Sequence, residues 1–234
     1  MESILEFFNN LTSPDWIMQN GGMYFVLLIV FIETGLFFGF FLPGDPLLFI
    51  SGMIIANSSY PFDTSVLNLV FWIMLIATSG IIGNFAGYWF GRKSERWLSH
   101  RKDTWLFKKK YIFRAKEFYE KNGGGAIVLA RFLPLIRTFA PIVAGMVQMK
   151  MSRFTFYNIV GSILWASSIV SAGYLLGDNA WAKDNLEKII IGIVLLSTGP
   201  VLLKLIFGKK KEIIEAVPVK PVLKSEMQEL EEVS

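Results

Sequence analysis

The chain has 234 residues, of which 53% are hydrophobic, and its formal net charge is +4. Its apolar residues come in blocks of about twenty, the length that crosses a bilayer as a helix. This composition excludes an ordinary soluble domain, and the absence of cysteine excludes disulfides and thiolate chemistry. The sequence therefore predicts an all-α, polytopic membrane protein.

Residues 1–21 form a predicted N-terminal interfacial segment. Its first sixteen residues contain three acids and no base, so they lack the basic region of a cleavable signal peptide. Apolar residues in this stretch predict a brief interfacial helix that ends near Pro14.

A broken apolar segment follows at residues 22–56. It contains two acids, Glu33 and Asp45. Two prolines and a glycine at residues 43–46 break the helical pattern, because proline removes a helix hydrogen bond and glycine disfavours the helix. Asp45 lies at this break.

The next span is predicted at residues 68–90, after a loop with one acid and no base. Glycines along it predict close helix contacts: Gly80, Gly83, Gly87 and Gly91. Residues 92–121 then carry eleven Lys or Arg against four acids, which is typical of a cytoplasmic segment. Aromatic residues interleave with these bases, so we predict an amphipathic helix on an anionic membrane surface rather than a nucleic-acid interface.

A second broken apolar segment, residues 126–149, contains Arg131 and Arg137. Pro134 and Pro141 interrupt it, so we predict that it is not one continuous helix. Two permanent cations are costly in a bilayer, and an anion that they hold is the best explanation for them.

Two further spans are predicted at residues 154–176 and 189–207. A run of lysines after the last span marks a cytoplasmic end. The acidic, proline-containing tail at residues 208–234 is predicted to be disordered.

The distribution of charge predicts the topology. If every basic segment is cytoplasmic, residues 126–149 enter and leave by the inner face, whereas residues 22–56 enter and leave by the outer face. The sequence therefore predicts two re-entrant helical hairpins of opposite orientation, with the N-terminus outside and the C-terminus cytoplasmic. Non-helical backbone at membrane depth requires protein or a wet cavity around it.

Short motifs that recur in the same order support an inverted repeat. The pairs are Phe41-Leu-Pro43 with Phe132-Leu-Pro134, Gly52-Met53 with Gly145-Met146, and Gly87-Tyr88-Trp-Phe-Gly91 with Gly173-Tyr174-Leu-Leu-Gly177. Inverted repeats with broken helices that meet at the midplane are an architecture of secondary transporters.

The candidate site consists of ionisable residues in the two broken segments. Arg131 and Arg137 are candidate ligands of an anionic headgroup, because guanidinium stays charged and matches phosphate geometry. Thr138 is either a further phosphate donor or a group that satisfies a local carbonyl. Glu33 and Asp45 are candidates for proton coupling and gating, since each can compete with the anion for an arginine. The alternative is that the four charges form purely structural ion pairs, which often only break even energetically.

Other polar residues are interpreted more modestly. The preferred interpretation of Asn84 is that it makes an interhelical hydrogen bond, and the second is that it is a supporting substrate ligand.

An enzyme is the alternative functional class. A membrane phosphatase needs a nucleophile and an acid/base pair, and His100 is the only histidine. We therefore expect no enzyme activity, no catalytic residue, no metal site and no cofactor.

These residues resemble the motifs of the DedA family of membrane proteins, the VTT or SNARE-associated domain group, over about residues 22–178. The resemblance is carried by Glu33-Thr-Gly with Phe40-Phe-Leu-Pro-Gly-Asp45, by Gly83-Asn84 with Gly87-Tyr88 and Gly91-Arg92, and by Arg131-Phe132 with Pro134, Arg137 and Gly145. The acidic tail after Lys211 lies outside the pattern.

The resemblance implies facing re-entrant hairpins, here in a membrane domain of residues 22–207, and lipid translocation in the bacterial cytoplasmic membrane. Bacterial members are implicated in returning undecaprenyl phosphate across that membrane for envelope synthesis, eukaryotic relatives scramble phospholipids, and the family is tied to proton-motive force. It also implies dependence on Glu33, Asp45, Arg131 and Arg137.

The expected function is translocation of a polyprenyl phosphate; the alternatives are a phospholipid scramblase and a proton-coupled small-molecule exporter. The expected partners are an anionic lipid, the membrane and protons, without nucleic acid. A homo-oligomer is compatible with the sequence.

Overall fold

A computed structural model describes residues 14–19, 21–36, 44–59, 61–99, 119, 124–193 and 195. These residues are α-helical with short connections, and no strand occurs among them, which confirms the predicted all-α class. The helices are α1 (Pro14–Gln19), α2 (Gly22–Gly35), α3 (Gly44–Ala56), α4 (Ser65–Ser99), α5 (Gly125–Ala130), α6 (Pro134–Met146), α7 (Met151–Leu176), α8 (Ala180–Asp184) and α9 (186–193).

Two long helices form the frame of the molecule. Ser65–Ser94 of α4 and all of α7 are long and apolar enough to cross a membrane, and only 33% of each apolar window is buried in protein. The remaining apolar surface faces outward, as a lipid-facing helix requires. The helices run antiparallel, because Asn84 contacts Asn158 at 2.8 Å whereas Phe85, further along α4, contacts Phe154, earlier in α7.

The first hairpin, α2 and α3, enters and leaves at one end of this frame. Its arms have 14 and 13 residues, about 20 Å each and too short to span. Arm α2 runs parallel to α4, with Ser79 Oγ donating to the Leu27 carbonyl at 2.6 Å. Arm α3 returns parallel to α7, and Asn57 Nδ2 at its end donates to the Gly177 carbonyl at 3.2 Å.

The second hairpin, α5 and α6, enters and leaves at the opposite end. Gly124, just before α5, lies against Tyr157 near the start of α7. Arm α6 returns along α4, where Gly145 packs against the backbone at Tyr88 and Arg92. The second arm of each hairpin therefore packs on the long helix of the other repeat.

The breaks differ from the sequence expectation at one proline. Arm α6 begins at Pro134, at a position where its missing N–H costs nothing. Pro141, however, lies inside α6, and the helix continues to Met146, so the prediction that Pro141 interrupts the segment is wrong. Packing against Gly87 of α4 supports the helix where proline removes one hydrogen bond.

The structure describes only the last part of the predicted N-terminal interfacial segment. Pro14–Gln19 form α1, and Pro14 is the first residue that the structure describes. Ile17 of this helix is fully buried. The interfacial helix predicted before Pro14, most of the segment at residues 92–121, the end of the last span and the tail at residues 208–234 lie outside the described residues.

Two apolar clusters bracket the centre of the molecule. The larger one includes Val26, Leu47, Ile76 and Val170 towards one end. The smaller one packs Tyr88, Ile127, Ala144 and Phe154 towards the other end. The end of α2 and the starts of α3 and α6 meet between these clusters, where the buried charged residues lie.

Candidate functional site

Arg137 joins the two hairpins. It extends from the first half of α6 and is 7% exposed, and its two terminal nitrogens donate separately to Glu33 Oε1 and Asp45 Oδ1. Glu33 comes from the end of α2, and Asp45 comes from the first turn of α3. One guanidinium thus bridges two buried carboxylates from the opposite hairpin.

Gly44 makes room for the Glu33 carboxylate. A Cβ at Gly44 would overlap Glu33 Oε2, so a larger side chain here requires the carboxylate to move. The carboxylate consequently lies against the N-terminus of α3, where free N–H groups and the helix dipole favour negative charge. The glycine at the predicted break is therefore part of the site.

Trp165 is a site residue that sequence reasoning missed. It is 1% exposed on α7, and its indole Nε1 donates to Asp45 Oδ1 at 3.0 Å. Its ring lies 5.1 Å from Cζ of Arg137 and 5.7 Å from Cζ of Arg131, distances that allow cation–π attraction. A tryptophan in an apolar span carries no sequence signal for this role, because tryptophan is also common in membrane cores and interfaces.

Arg131 has a different environment from Arg137. It follows the last turn of α5, is 3% exposed, and donates to Asn158 Oδ1 at 2.7 Å and to the Gly80 carbonyl at 3.4 Å. Among the described residues no carboxylate pairs with it, and its Nε has no hydrogen-bond partner. Glu33 and Asp45, the acids that could compete with an anion for either arginine, thus pair with Arg137 and not with Arg131.

Asn84 and Asn158 form a polar bridge between the long helices. Asn84 Nδ2 donates to Asn158 Oδ1 at 2.8 Å, and Asn158 Nδ2 donates to the Ile81 carbonyl at 3.2 Å. Asn84 thus makes an interhelical hydrogen bond. Sequence reasoning missed Asn158, which contacts Arg131 directly, although an amide in an apolar span is a signal that could have singled it out.

Thr138 lies beside Arg137 and is 1% exposed. Its hydroxyl has no hydrogen-bond partner among the described residues, so the alternative of a bond to a local carbonyl is not met there. A buried polar atom without a partner is costly and is uncommon in native structures. Within the same part of the chain, no group of three or more His, Cys, Asp or Glu side chains could hold a metal ion.

Comparison with known proteins gives the family. The family model described as VTT domain matches residues 42–175. The chain is 38% identical to Protein DedA of Escherichia coli (strain K12) over 185 residues, which cover 79% of this chain and 82% of that protein. The chain belongs to the DedA family.

Other relatives agree with this membership. The DedA-family chain is 36% identical to an uncharacterized membrane protein of Mycobacterium leprae (strain TN), over 80% of each chain. It is 32% identical to Inner membrane protein YqjA of Escherichia coli (strain K12), over 86% of each chain. No solved structure is significantly similar to it. The relatives' names and the two apolar helices support a bacterial membrane location.

Proposed function

We propose that this protein moves a polyprenyl phosphate, with undecaprenyl phosphate as the expected lipid, across the bacterial cytoplasmic membrane. The observation that carries the proposal is the pair of buried arginines between the two hairpins, one of which has only neutral partners among the described residues. Charged residues at membrane depth mark substrate or ion pathways. A guanidinium favours phosphate because it donates two parallel hydrogen bonds from a permanent charge.

Apolar surfaces around the site suit the rest of such a lipid. Large apolar side chains are exposed along α4 and α7, among them Leu164 at 49% and Ile82 at 53%. In the proposed mechanism the isoprenoid tail stays in the bilayer beside these helices while the phosphate enters the site. Because each hairpin approaches from its own end of the frame, small movements of one hairpin or the other open the site to opposite sides.

Competition for Arg137 supplies a gate. Glu33 and Asp45 both pair with Arg137, and an incoming phosphate has to replace at least one carboxylate. Protonating a carboxylate removes the charge that holds the arginine, so proton binding and phosphate binding favour each other by linkage. Coupling to protons is therefore part of the proposal.

Reconstitution in liposomes tests the proposal. Purified protein is reconstituted with labelled undecaprenyl phosphate, phosphatidylethanolamine or phosphatidylglycerol, and movement between leaflets is measured. We expect the polyprenyl phosphate to move at least about tenfold faster than either phospholipid, a preference of about 1.4 kcal/mol. Arg131→Ala and Arg137→Ala are expected to lose that movement about 10- to 100-fold, the effect of losing a hydrogen bond from a charged group.

Arg153→Ala is the matched control, since Arg153 is exposed in the first turn of α7, and it should transport like the unaltered protein. Equal movement of all three lipids would favour a phospholipid scramblase. No stimulated movement of the polyprenyl lipid, with the unaltered protein and Arg131→Ala alike, would overturn the proposal. Proton coupling is abandoned if Glu33→Gln and Asp45→Asn retain transport with an unchanged pH dependence.

A further inference from the structure

The two buried arginines are held by opposite kinds of partner. Arg137 donates to two carboxylates, Glu33 and Asp45, which neutralise its charge. Arg131 donates to an amide oxygen of Asn158 and to a backbone carbonyl. A neutral acceptor satisfies an N–H without cancelling the positive charge, so Arg131 keeps its attraction for an anion.

Arg131 is also held in a fixed position. A Cβ at Gly161 would lie 3.2 Å from its Cδ, and a Cβ at Gly80 would lie 3.4 Å from one terminal nitrogen. The side chain is therefore clamped between α7 and α4 where both helices carry glycine. Fixing a binding group before the ligand arrives lowers the entropic cost of binding.

Asn158 is oriented by its own neighbours. Its Oδ1 accepts from Arg131 and from Asn84, while its Nδ2 donates to the Ile81 carbonyl. This pattern requires an acceptor on one side of the side chain and a donor on the other, which an amide supplies and a carboxylate does not. An aspartate in this position would pair with Arg131 as Glu33 and Asp45 pair with Arg137.

We infer that Asn158 is a positioning residue that keeps Arg131 uncompensated, so that Arg131 is the first receptor of the phosphate and Arg137 is the second. The Nε of Arg131, which has no hydrogen-bond partner among the described residues, provides a donor for the incoming anion. The phosphate then reaches Arg137 as that arginine leaves its carboxylates. The inference rests on the proposed function. It adds the order in which the two arginines bind the phosphate and names Asn158 as the residue that sets this order.

Thermal unfolding of the full chain in detergent tests the inference, with farnesyl phosphate, inorganic phosphate or uncharged farnesol as the added probe. Farnesyl phosphate should raise the Tm of the unaltered protein, and farnesol should not. Asn158→Asp loses the donor to the Ile81 carbonyl but gains an ion pair with Arg131 that offsets this loss, so its Tm without probe should be unchanged or higher. Its affinity for farnesyl phosphate should fall at least about tenfold.

Asn68→Asp is the matched control with the opposite signature. Asn68 is fully buried in the first turn of α4, and its amide nitrogen donates to the carbonyls of Ser58 and Phe62. Losing those donors should lower the Tm and leave the shift caused by farnesyl phosphate intact. If Asn158→Asp does not fold, Asn84→Asp adds the same charge next to Asn158 and should weaken binding.

Each outcome decides the inference. A folded Asn158→Asp, or the fallback Asn84→Asp, that binds farnesyl phosphate as tightly as the unaltered protein overturns it and leaves the proposed function standing. An unaltered protein that shows no shift with either phosphate also overturns it. Binding that follows the expected pattern, without lipid movement in liposomes, supports the phosphate receptor and removes the proposed function. Equal shifts with inorganic and farnesyl phosphate support the receptor and assign it to free phosphate.

Discussion

At the scale of single residues, Arg137 determines how the site is closed. Its guanidinium is buried with two carboxylates, and removing one partner of a buried ion pair leaves an uncompensated charge that costs more than the pair itself contributes. Removing Arg131 leaves no unpaired carboxylate among the described residues, because its partners there are neutral. The two arginines should therefore differ in what their loss does to stability.

Arg137→Ala is expected to lower the free energy of unfolding by about 3–5 kcal/mol, the cost of leaving buried charge unpaired. Unfolding in detergent, monitored through the loss of the helical signal, measures this change in free energy. In a protein that already carries Glu33→Gln and Asp45→Asn, Arg137→Ala should lower the free energy of unfolding by less than half as much. The reason is that neutral amides need no counter-charge. An equal loss in both backgrounds would show that the ion pairs do not hold the hairpins together.

At the scale of helices, the hairpins are held to the frame by backbone contacts at glycines. A Cβ at Gly173 would overlap the carbonyl of Phe49 in α3, and a Cβ at Gly91 would overlap the carbonyl of Ile142 in α6. The same kind of contact thus occurs where α3 meets α7 and where α6 meets α4. Small residues allow such close packing of helices in a membrane.

Gly91→Ala is expected to destabilise the protein by about 1–3 kcal/mol, because the added methyl group forces α6 away from α4. Alanine is a better helix former than glycine by about 1 kcal/mol, so any loss of stability comes from the contact. The shift in Tm in detergent measures it. Gly125→Ala is the control, since nothing lies within 4 Å of a Cβ there, and a Tm as low as that of Gly91→Ala would contradict the explanation.

At the scale of the whole molecule, the two hairpins approach from opposite ends of an antiparallel pair of helices. The loop after α3 is tied to the end of α7 by the bond from Asn57 to Gly177, at 3.2 Å. At the other end, Tyr88 in the second half of α4 donates to the carbonyl of Met149 at 2.6 Å. These contacts assign the loops to two ends, and the charge distribution predicts which end is cytoplasmic.

Cysteine labelling tests that assignment in a chain that has no cysteine of its own. Asp63, Lys150 and Asp178 are exposed, so a cysteine at each can react. A membrane-impermeant maleimide added to intact cells with a permeable outer envelope should label Asp63→Cys and Asp178→Cys. Lys150→Cys should react only after the inner membrane is opened; the reverse pattern would contradict the predicted orientation.

The sequence by itself determined the properties that depend on local composition. The membrane helices could be predicted from the apolar segments, and the candidate site from the four charged residues within them. The topology could be predicted from the asymmetry of the basic loops. All three predictions work because burying apolar or charged groups in a bilayer has a large and uniform effect on free energy. The exposed apolar surface of α4 and α7 agrees with that prediction.

Only the tertiary structure decided which groups meet. That Arg137 takes both carboxylates while Arg131 takes Asn158 depends on how two hairpins pack against two long helices. The roles of Trp165 and Asn158 and the continuous helix through Pro141 have the same origin. Partners that lie 92 and 104 residues apart in the chain leave no local pattern, since their pairing is set by packing rather than by spacing.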